Sequence, residues 1–135
     1  MEGAAVYYVG PTPERPDCAI GAAGPTTSGR MDAYTPRLLD LGLACMIGKG
    51  KRSEAVVEAM KRNTAVYFAD TGGAAALLQS HILSSEIIAY EDLGAEAIRR
   101  LEVRDLPAIV VIDSQGNDLY ATEKAKYRQK DALGE

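Results

Sequence analysis

The chain has 135 residues, of which 47% are apolar and 25% charged, a composition typical of one globular domain with a sizeable core. Its formal net charge of −4 argues against nucleic acid or an anionic membrane as the main partner. No apolar run reaches the length of a transmembrane helix, and the N-terminus lacks the basic and apolar parts of a signal peptide. We therefore expect a cytoplasmic protein.

Strands and helices are predicted to alternate along the chain. Apolar runs predict strands at 4–9, 18–20, 43–47, 64–69, 86–90 and 107–113, and the last, as the most hydrophobic, is expected at the centre of the sheet. Helical patterns predict helices from Thr35-Pro36 (with 31–34 as an alternative start), from Ser53 to about Arg62, over 74–80 and around 96–101. Residues 114–118 predict a hairpin-like turn, and the charged tail from Ala121 a frayed helix or disordered end.

This alternation predicts an α/β fold with a mixed, mostly buried sheet flanked by helices. The first two strand candidates are separated by a proline-rich turn rather than by a helix, so part of the sheet is expected to be antiparallel.

The loop at residues 21–32 combines features that suit anion binding. Its glycines free the backbone, Thr26, Thr27 and Ser28 supply hydroxyl groups, and Arg30 stands ahead of a predicted helix. A capping turn between a strand and a helix would use the same residue types. On local chemistry alone both interpretations stay open.

A second loop, at residues 48–52, places Lys49 between two glycines at the end of a predicted strand. This freedom would let Lys49 project into a cleft, although a solvated turn lysine is the alternative, and Lys51 and Arg52 are expected to be solvated. Residues 70–73 could also hold a phosphate or carboxylate before a helix. No GxGxxG or P-loop pattern indicates a nucleotide site.

The cysteines and the histidine predict structural roles rather than metal binding. Cys18 and Cys45 lie in apolar surroundings without a CxxC or Cys/His pattern, so we expect free, buried thiols. They are too few to hold an iron–sulfur cluster. His81 has no second ligand nearby in the sequence.

Short motifs in a fixed order carry a family resemblance: 8–13, 24–31, 46–50, 67–68 with 72–77, 90–94, and 107–113. Together they resemble the C-terminal (β-subunit) domain of class I iron–sulfur fumarate hydratases, through nearly the whole chain to about Tyr120. The related L(+)-tartrate dehydratases share the resemblance. It implies a swivelling β/β/α domain over residues 1–120, with 121–135 as a charged tail.

The resemblance also implies an activity and a partner. The family interconverts fumarate and (S)-malate by reversible hydration, a hydro-lyase step of the tricarboxylic acid cycle. The domain closes over an α subunit, in an αβ or α2β2 assembly, and that subunit rather than this chain holds a 4Fe-4S cluster acting as Lewis acid. The chain is then inactive alone. Alternatives are an L(+)-tartrate dehydratase β subunit and a truncated, non-catalytic dicarboxylate-binding or assembly domain.

Motif by motif, the resemblance assigns roles to residues of both loops. Thr26 matches the threonine proposed as catalytic base, Arg30 an arginine that binds substrate carboxylate, and Lys49 a lysine of the same site. Thr27 and Ser28 are expected to be loop or substrate hydrogen-bond donors. The chemistry agrees, because a dicarboxylate suits an arginine fork and a lysine point charge. A threonine hydroxyl is a poor base unless cationic neighbours or a partner group lower its pKa.

The N-terminus departs from the family pattern. Ahead of the motif at 8–13, family members carry an Ala-Arg-Asp-x-Ala-His-like motif whose arginine also contacts substrate. Nothing in residues 1–6 matches it. We therefore expect a domain without the family's N-terminal segment.

Overall fold

The computed structural model describes residues 1–70 and 73–128. Within them the strands are β1 (Ala4–Tyr7), β2 (Leu43–Gly48), β3 (Val66–Ala69), β4 (Ile82–Ala89), β5 (Ile98–Val103) and β6 (Ile109–Ile112). The helices are α1 (Thr35–Asp40), α2 (Glu54–Asn63), α3 (Ala75–Ser80) and α4 (Leu119–Tyr127). Short 3-10 turns form at Ser28–Met31 and Glu91–Glu96. None of the helices described is long and apolar enough to cross a membrane.

A mixed four-stranded sheet has the order β1-β2-β3-β6. β1, β2 and β3 run parallel, whereas β6 pairs antiparallel with β3. β4 and β5 form a separate antiparallel ribbon. The predicted α/β class, with a sheet that is antiparallel in part and flanked by helices, is confirmed; the swivelling motion stays a prediction.

Helix α2 shows how the sequence builds the main core. The Ser53 hydroxyl accepts a hydrogen bond from the Val56 backbone N–H at 3.3 Å, which caps the helix as predicted. Val56, Ala59 and Met60 recur at helical spacing and are fully buried. They pack with α1 and the sheet in one cluster, whose other buried members are Leu39, Leu43, Met46, Ala65, Tyr67 and Ile112.

The proline-rich segment after β1 contains no strand at 18–20, contrary to the prediction. Prolines at positions 11, 13 and 16 carry no backbone N–H for a sheet ladder, and the segment closes on itself through local bonds. The Cys18 N–H donates to the Arg15 carbonyl, and the Thr12 N–H donates to the Ala22 carbonyl. Ile20 is buried instead in a second, smaller core with Ile82.

The helix predicted around 96–101 is also wrong, because this segment forms β5. Arg99 and Leu101 face inward while the residues between and beside them are exposed, the alternation of a strand. Arg99 lies opposite Ile87 of β4, and Arg100 forms an ion pair with Glu86 across the ribbon. Pairing with β4 outweighs the weak helical pattern.

Strand β6 lies at an edge of the sheet and not at its centre. It pairs with β3 alone, and Ile109 and Val110 are 56% and 42% exposed. The turn after it is hairpin-like, as predicted, since the Asp113 N–H donates to the Asn117 carbonyl at 3.1 Å. It leads into α4, which takes up the first part of the tail. Residues 129–135 lie outside those described.

Arg52 is buried and not solvated, which corrects the sequence-based expectation. Its Nε donates to Asp32 Oδ1 at 2.7 Å, and its Nη2 donates to Thr35 Oγ1 at 2.9 Å. The guanidinium carbon lies 5.3 Å and 5.1 Å from the ring centroids of Tyr8 and Tyr67, within the range of cation–π attraction. The other oxygen of Asp32 accepts the Ser53 N–H, so a single carboxylate ties the 3-10 turn to the start of α2.

Replacing Asp32 with alanine should strongly destabilise the fold, because the enclosed Arg52 charge would lose its counter-ion. We expect the free energy of unfolding to fall by about 3 kcal/mol or more in urea denaturation, in line with other buried ion pairs broken on one side. The matched control is Asp40→Ala, which breaks the exposed pair with Arg62 and should cost much less. Equal losses in the two variants would contradict this account.

Candidate functional site

The two loops singled out by sequence meet beyond the carboxyl end of β2. The Thr26 N–H donates to the Tyr8 carbonyl at 2.8 Å, and the Lys49 N–H donates to the Thr26 carbonyl at 3.1 Å. The Ser28 N–H donates to the Lys49 carbonyl at 3.0 Å, and Thr27 pairs with Lys49 as an isolated parallel bridge. These backbone bonds hold Thr26 and Lys49 side by side.

Arg30 joins them from the short 3-10 turn that follows Thr27. Its Nη2 lies 3.4 Å from Thr26 Oγ1, a long hydrogen bond from a cation to the hydroxyl. Arg30, Lys49 and Thr27 are exposed and Thr26 is half-buried. The structure thus brings together the four predicted site residues, and their roles stay a prediction.

The charges of this patch are open to a ligand. Within the described residues neither Arg30 nor Lys49 has an acidic partner at ion-pair distance. Arg52 differs, because its charge is neutralised by Asp32 below the surface. Two uncompensated cations beside a hydroxyl form a surface that favours an anion.

The layer beneath the loops contains residues that sequence reasoning missed. Ser28 is fully buried, so it serves the loop and cannot donate to a substrate. Tyr67 Oη lies 3.0 Å from Ser28 Oγ and 3.1 Å from the Gly50 carbonyl oxygen, and it can donate its proton to either. The Gly50 N–H donates to Tyr120 Oη at 3.2 Å. No local pattern signals these contacts, because the Gly50 and Tyr120 partners are 70 positions apart.

Tyr67 keeps its proton under all ordinary conditions. Burial, the main cause, raises the pKa of Tyr67 to about 12, although the bond to Ser28 and the nearby Arg52 charge act in the opposite direction. The phenol therefore remains a hydrogen-bond donor to the loops.

Gly48 is needed because the loops approach the sheet so closely. A Cβ at this position would lie 1.8 Å from Ser28 Oγ and 3.1 Å from Tyr8 Cδ2. The contact with Ser28 requires a shift of that side chain or of its 3-10 turn, and the contact with Tyr8 requires a further small displacement of its ring.

Gly48→Ala should therefore displace Ser28 and lower the free energy of unfolding by about 1–3 kcal/mol, as overpacking does elsewhere. Urea denaturation measures the loss. Gly10→Ala is the matched control, since its nearest atom, Glu96 Oε1, is 3.7 Å away and leaves room for a methyl group. An alanine at position 48 as stable as one at position 10 would show that the close approach is not required.

The described residues do not fit a metal or iron–sulfur centre. Across residues 1–70 and 73–128, no three His, Cys, Asp or Glu side chains converge as ligands. Cys18 and Cys45 are free thiols, as predicted, but both are half-buried rather than buried. Burial raises the pKa of the Cys45 thiol. His81 Nδ1 lies 3.0 Å from the Arg104 carbonyl oxygen.

Of the third candidate loop, residues 70–73, two positions lie outside the described residues. The structure describes Asp70, which is half-buried, and Gly73, which is exposed. An anion site there stays a prediction.

Comparison with known proteins settles the family. The family model described as "Fumarase C-terminus" matches residues 1–123. The chain belongs to this family. The resemblance drawn from the motifs at 8–13, 24–31 and 46–50 is thereby confirmed.

The relatives that this chain matches are hydratases and a dehydratase subunit, which is consistent with the family. Over 117 residues the chain is 43% identical to the aerobic class I fumarate hydratase of Escherichia coli strain K12. This match covers 85% of the present chain and 21% of that enzyme. Fumarate hydratase 2 of Leishmania major is 38% identical over 123 residues, 90% of this chain and 22% of the relative. A putative L(+)-tartrate dehydratase subunit beta of Methanocaldococcus jannaschii is 31% identical over 131 residues, 93% of this chain and 67% of the relative. The chain thus spans about a fifth of the fumarate hydratases it matches.

Proposed function

We propose that this chain is the β-subunit domain of an iron–sulfur hydro-lyase that interconverts fumarate and (S)-malate by reversible hydration. The observation that carries the proposal is the meeting of Thr26, Arg30 and Lys49. Each stands in its family motif, and the fold joins them through the hydrogen bonds of two loops. The expected cytoplasmic location is part of the same proposal.

Arg30 and Lys49 bind the substrate carboxylates in this proposal. The arginine fork can hold one carboxylate through two parallel hydrogen bonds, and the ammonium group supplies a point charge beside it. The same cations stabilise the extra negative charge that develops when a proton leaves the carbon next to a carboxylate. Thr27, which is exposed and forms a backbone bridge with Lys49, donates a hydrogen bond to substrate in this proposal.

Thr26 takes the proton from that carbon. Its hydroxyl receives the long hydrogen bond from Arg30, and a positive charge at this position favours the alkoxide over the alcohol. The half-buried setting of Thr26 reduces the screening of this attraction by water, while the same burial opposes formation of the charged alkoxide, so the nearby cations are essential to the role.

The cluster and the α subunit complete the site. Because the described residues do not fit an iron–sulfur centre, a partner α subunit would supply the 4Fe-4S cluster, in an αβ or α2β2 assembly. This domain then contributes half of an active site and is inactive alone.

An L(+)-tartrate dehydratase β subunit is the second candidate. The Methanocaldococcus jannaschii relative favours it, since the match extends over 93% of this chain. Malate and tartrate differ by one hydroxyl group, and both have the two carboxylates that Arg30 and Lys49 would bind. The same site therefore serves either substrate.

Arg30→Ala should weaken the binding of (S)-malate to this chain about ten- to hundredfold, because a charge-assisted hydrogen bond is lost. Lys49→Ala should weaken it in the same direction. Titration followed by NMR of backbone amides measures both effects, and raised salt should reduce the wild-type affinity. Arg37→Ala on α1 is the matched control, an exposed arginine outside the site. Loss of affinity in that variant alone would refute the assignment.

A parallel titration with L(+)-tartrate compares the two substrates at the same site. If Arg30→Ala bound both ligands as well as the wild type does, the dicarboxylate site would be elsewhere.

Thr26→Val should lower kcat of the complex with its α subunit about a hundredfold or more, the usual contribution of a positioned base, while KM changes far less. Thr26→Ser should retain part of the rate because it keeps the hydroxyl. The measurement is fumarate absorbance under anaerobic conditions, with Thr122→Val on α4 as control. Carboxylate binding without turnover in an assembled wild-type complex that contains its cluster would favour the non-catalytic alternative.

A further inference from the structure

The backbone of Lys49 is bonded to the 26–28 loop, but the residues that follow it belong to no helix or strand until α2. β2 ends at Gly48 and α2 begins at Glu54. Between them Gly50 has a φ of +90°, a conformation that residues with side chains rarely adopt. Lys49 itself is exposed, with a long and flexible side chain, so its position over the site depends on the backbone.

Two phenol groups hold this backbone from below. The Gly50 N–H donates to Tyr120 Oη, and the Gly50 carbonyl accepts from Tyr67 Oη, so the peptides on both sides of Gly50 are tied. The tyrosines come from different elements, β3 and α4. Neither belongs to the loops that carry the predicted site residues.

The two phenols are themselves anchored. Tyr67 is fully buried, its ring lies 5.1 Å from the guanidinium carbon of Arg52, and its hydroxyl also contacts Ser28. Tyr120 is half-buried at the start of α4, where the Asp118 side chain accepts the Tyr120 N–H at 2.8 Å. The core and the start of a helix therefore fix both hydroxyls independently of the Lys49 side chain.

We propose that Tyr67 and Tyr120 are positioning residues that clamp the Gly50 peptides and thereby hold Lys49 beside Thr26 and Arg30. Without the phenol hydroxyls, the Gly50 N–H and carbonyl lose their partners, and only the backbone bonds of Lys49 to the 26–28 loop still hold the turn. The turn then loosens at Gly50, and the ammonium group of Lys49 is held less firmly at the site. The clamp itself is a statement about the loop, whereas its effect on binding rests on the proposed function.

The first test needs no ligand. In Tyr120→Phe, the Gly50 N–H loses its acceptor, and its hydrogen exchange, measured by NMR, should accelerate about three- to tenfold. Tyr127→Phe is the matched control on the same helix, because Tyr127 is 83% exposed. Unchanged exchange at Gly50 in Tyr120→Phe overturns the proposal. Tyr67→Phe removes the hydrogen bond to the Gly50 carbonyl and is tested in the same way. If this buried variant does not fold, the result for Tyr120→Phe decides the test.

The second test separates positioning from general stability. Tyr120→Phe should weaken (S)-malate binding about threefold or more in the wild-type background and leave it unchanged in the Lys49→Ala background, because the tyrosine acts through the lysine. An equal loss in both backgrounds would assign Tyr120 a merely structural role and overturn the proposal. If the wild type and Arg30→Ala did not differ in malate binding, the proposed function would fail, and faster Gly50 exchange would still support the clamp.

Discussion

The structure depends on one enclosed charge pair, Arg52 with Asp32. The guanidinium has no exposed surface, and its donors reach a carboxylate, a hydroxyl and a thioether sulfur. The Asp32 carboxylate also accepts the N–H of Ser53, the residue that caps α2. The 3-10 turn, β2 and the start of α2 are therefore joined through the contacts of this one ion pair. Removing either charge leaves the other buried without compensation, which is why so many elements depend on this contact.

The basic residues of the two loops differ in whether their charge is neutralised within the fold. Arg52 is satisfied inside the fold, whereas Arg30 and Lys49 stand at the surface with no acidic partner among the described residues. In the proposed function, a ligand with two carboxylates binds these two exposed charges. Ser28 and Tyr67 lie between these layers and connect the buried charge to the backbone that carries the open ones.

Local patterns predicted much of this fold and of the site. Strands β1, β2 and β3 and the capped helix α2 were predicted from short-range patterns, and the structure contains them. Prediction failed where pairing between distant segments decided the outcome. Residues 96–101 carry a weak helical pattern but form a strand paired with β4. The hydrophobic β6 lies at an edge of the sheet because β3 is the one strand of the sheet beside it. The site loops were found because glycine, hydroxyl and basic residues concentrate within short stretches.

The sequence by itself determined the family and the α/β class, and it singled out the two loops that carry Thr26, Arg30 and Lys49. Only the tertiary structure decided that Arg52 is buried while Lys49 is exposed, although the two lie in the same short loop. It alone placed Tyr120 against Gly50. The physical reason is that burial and hydrogen bonding depend on which distant surfaces meet, and a linear pattern of residue types contains no record of those contacts.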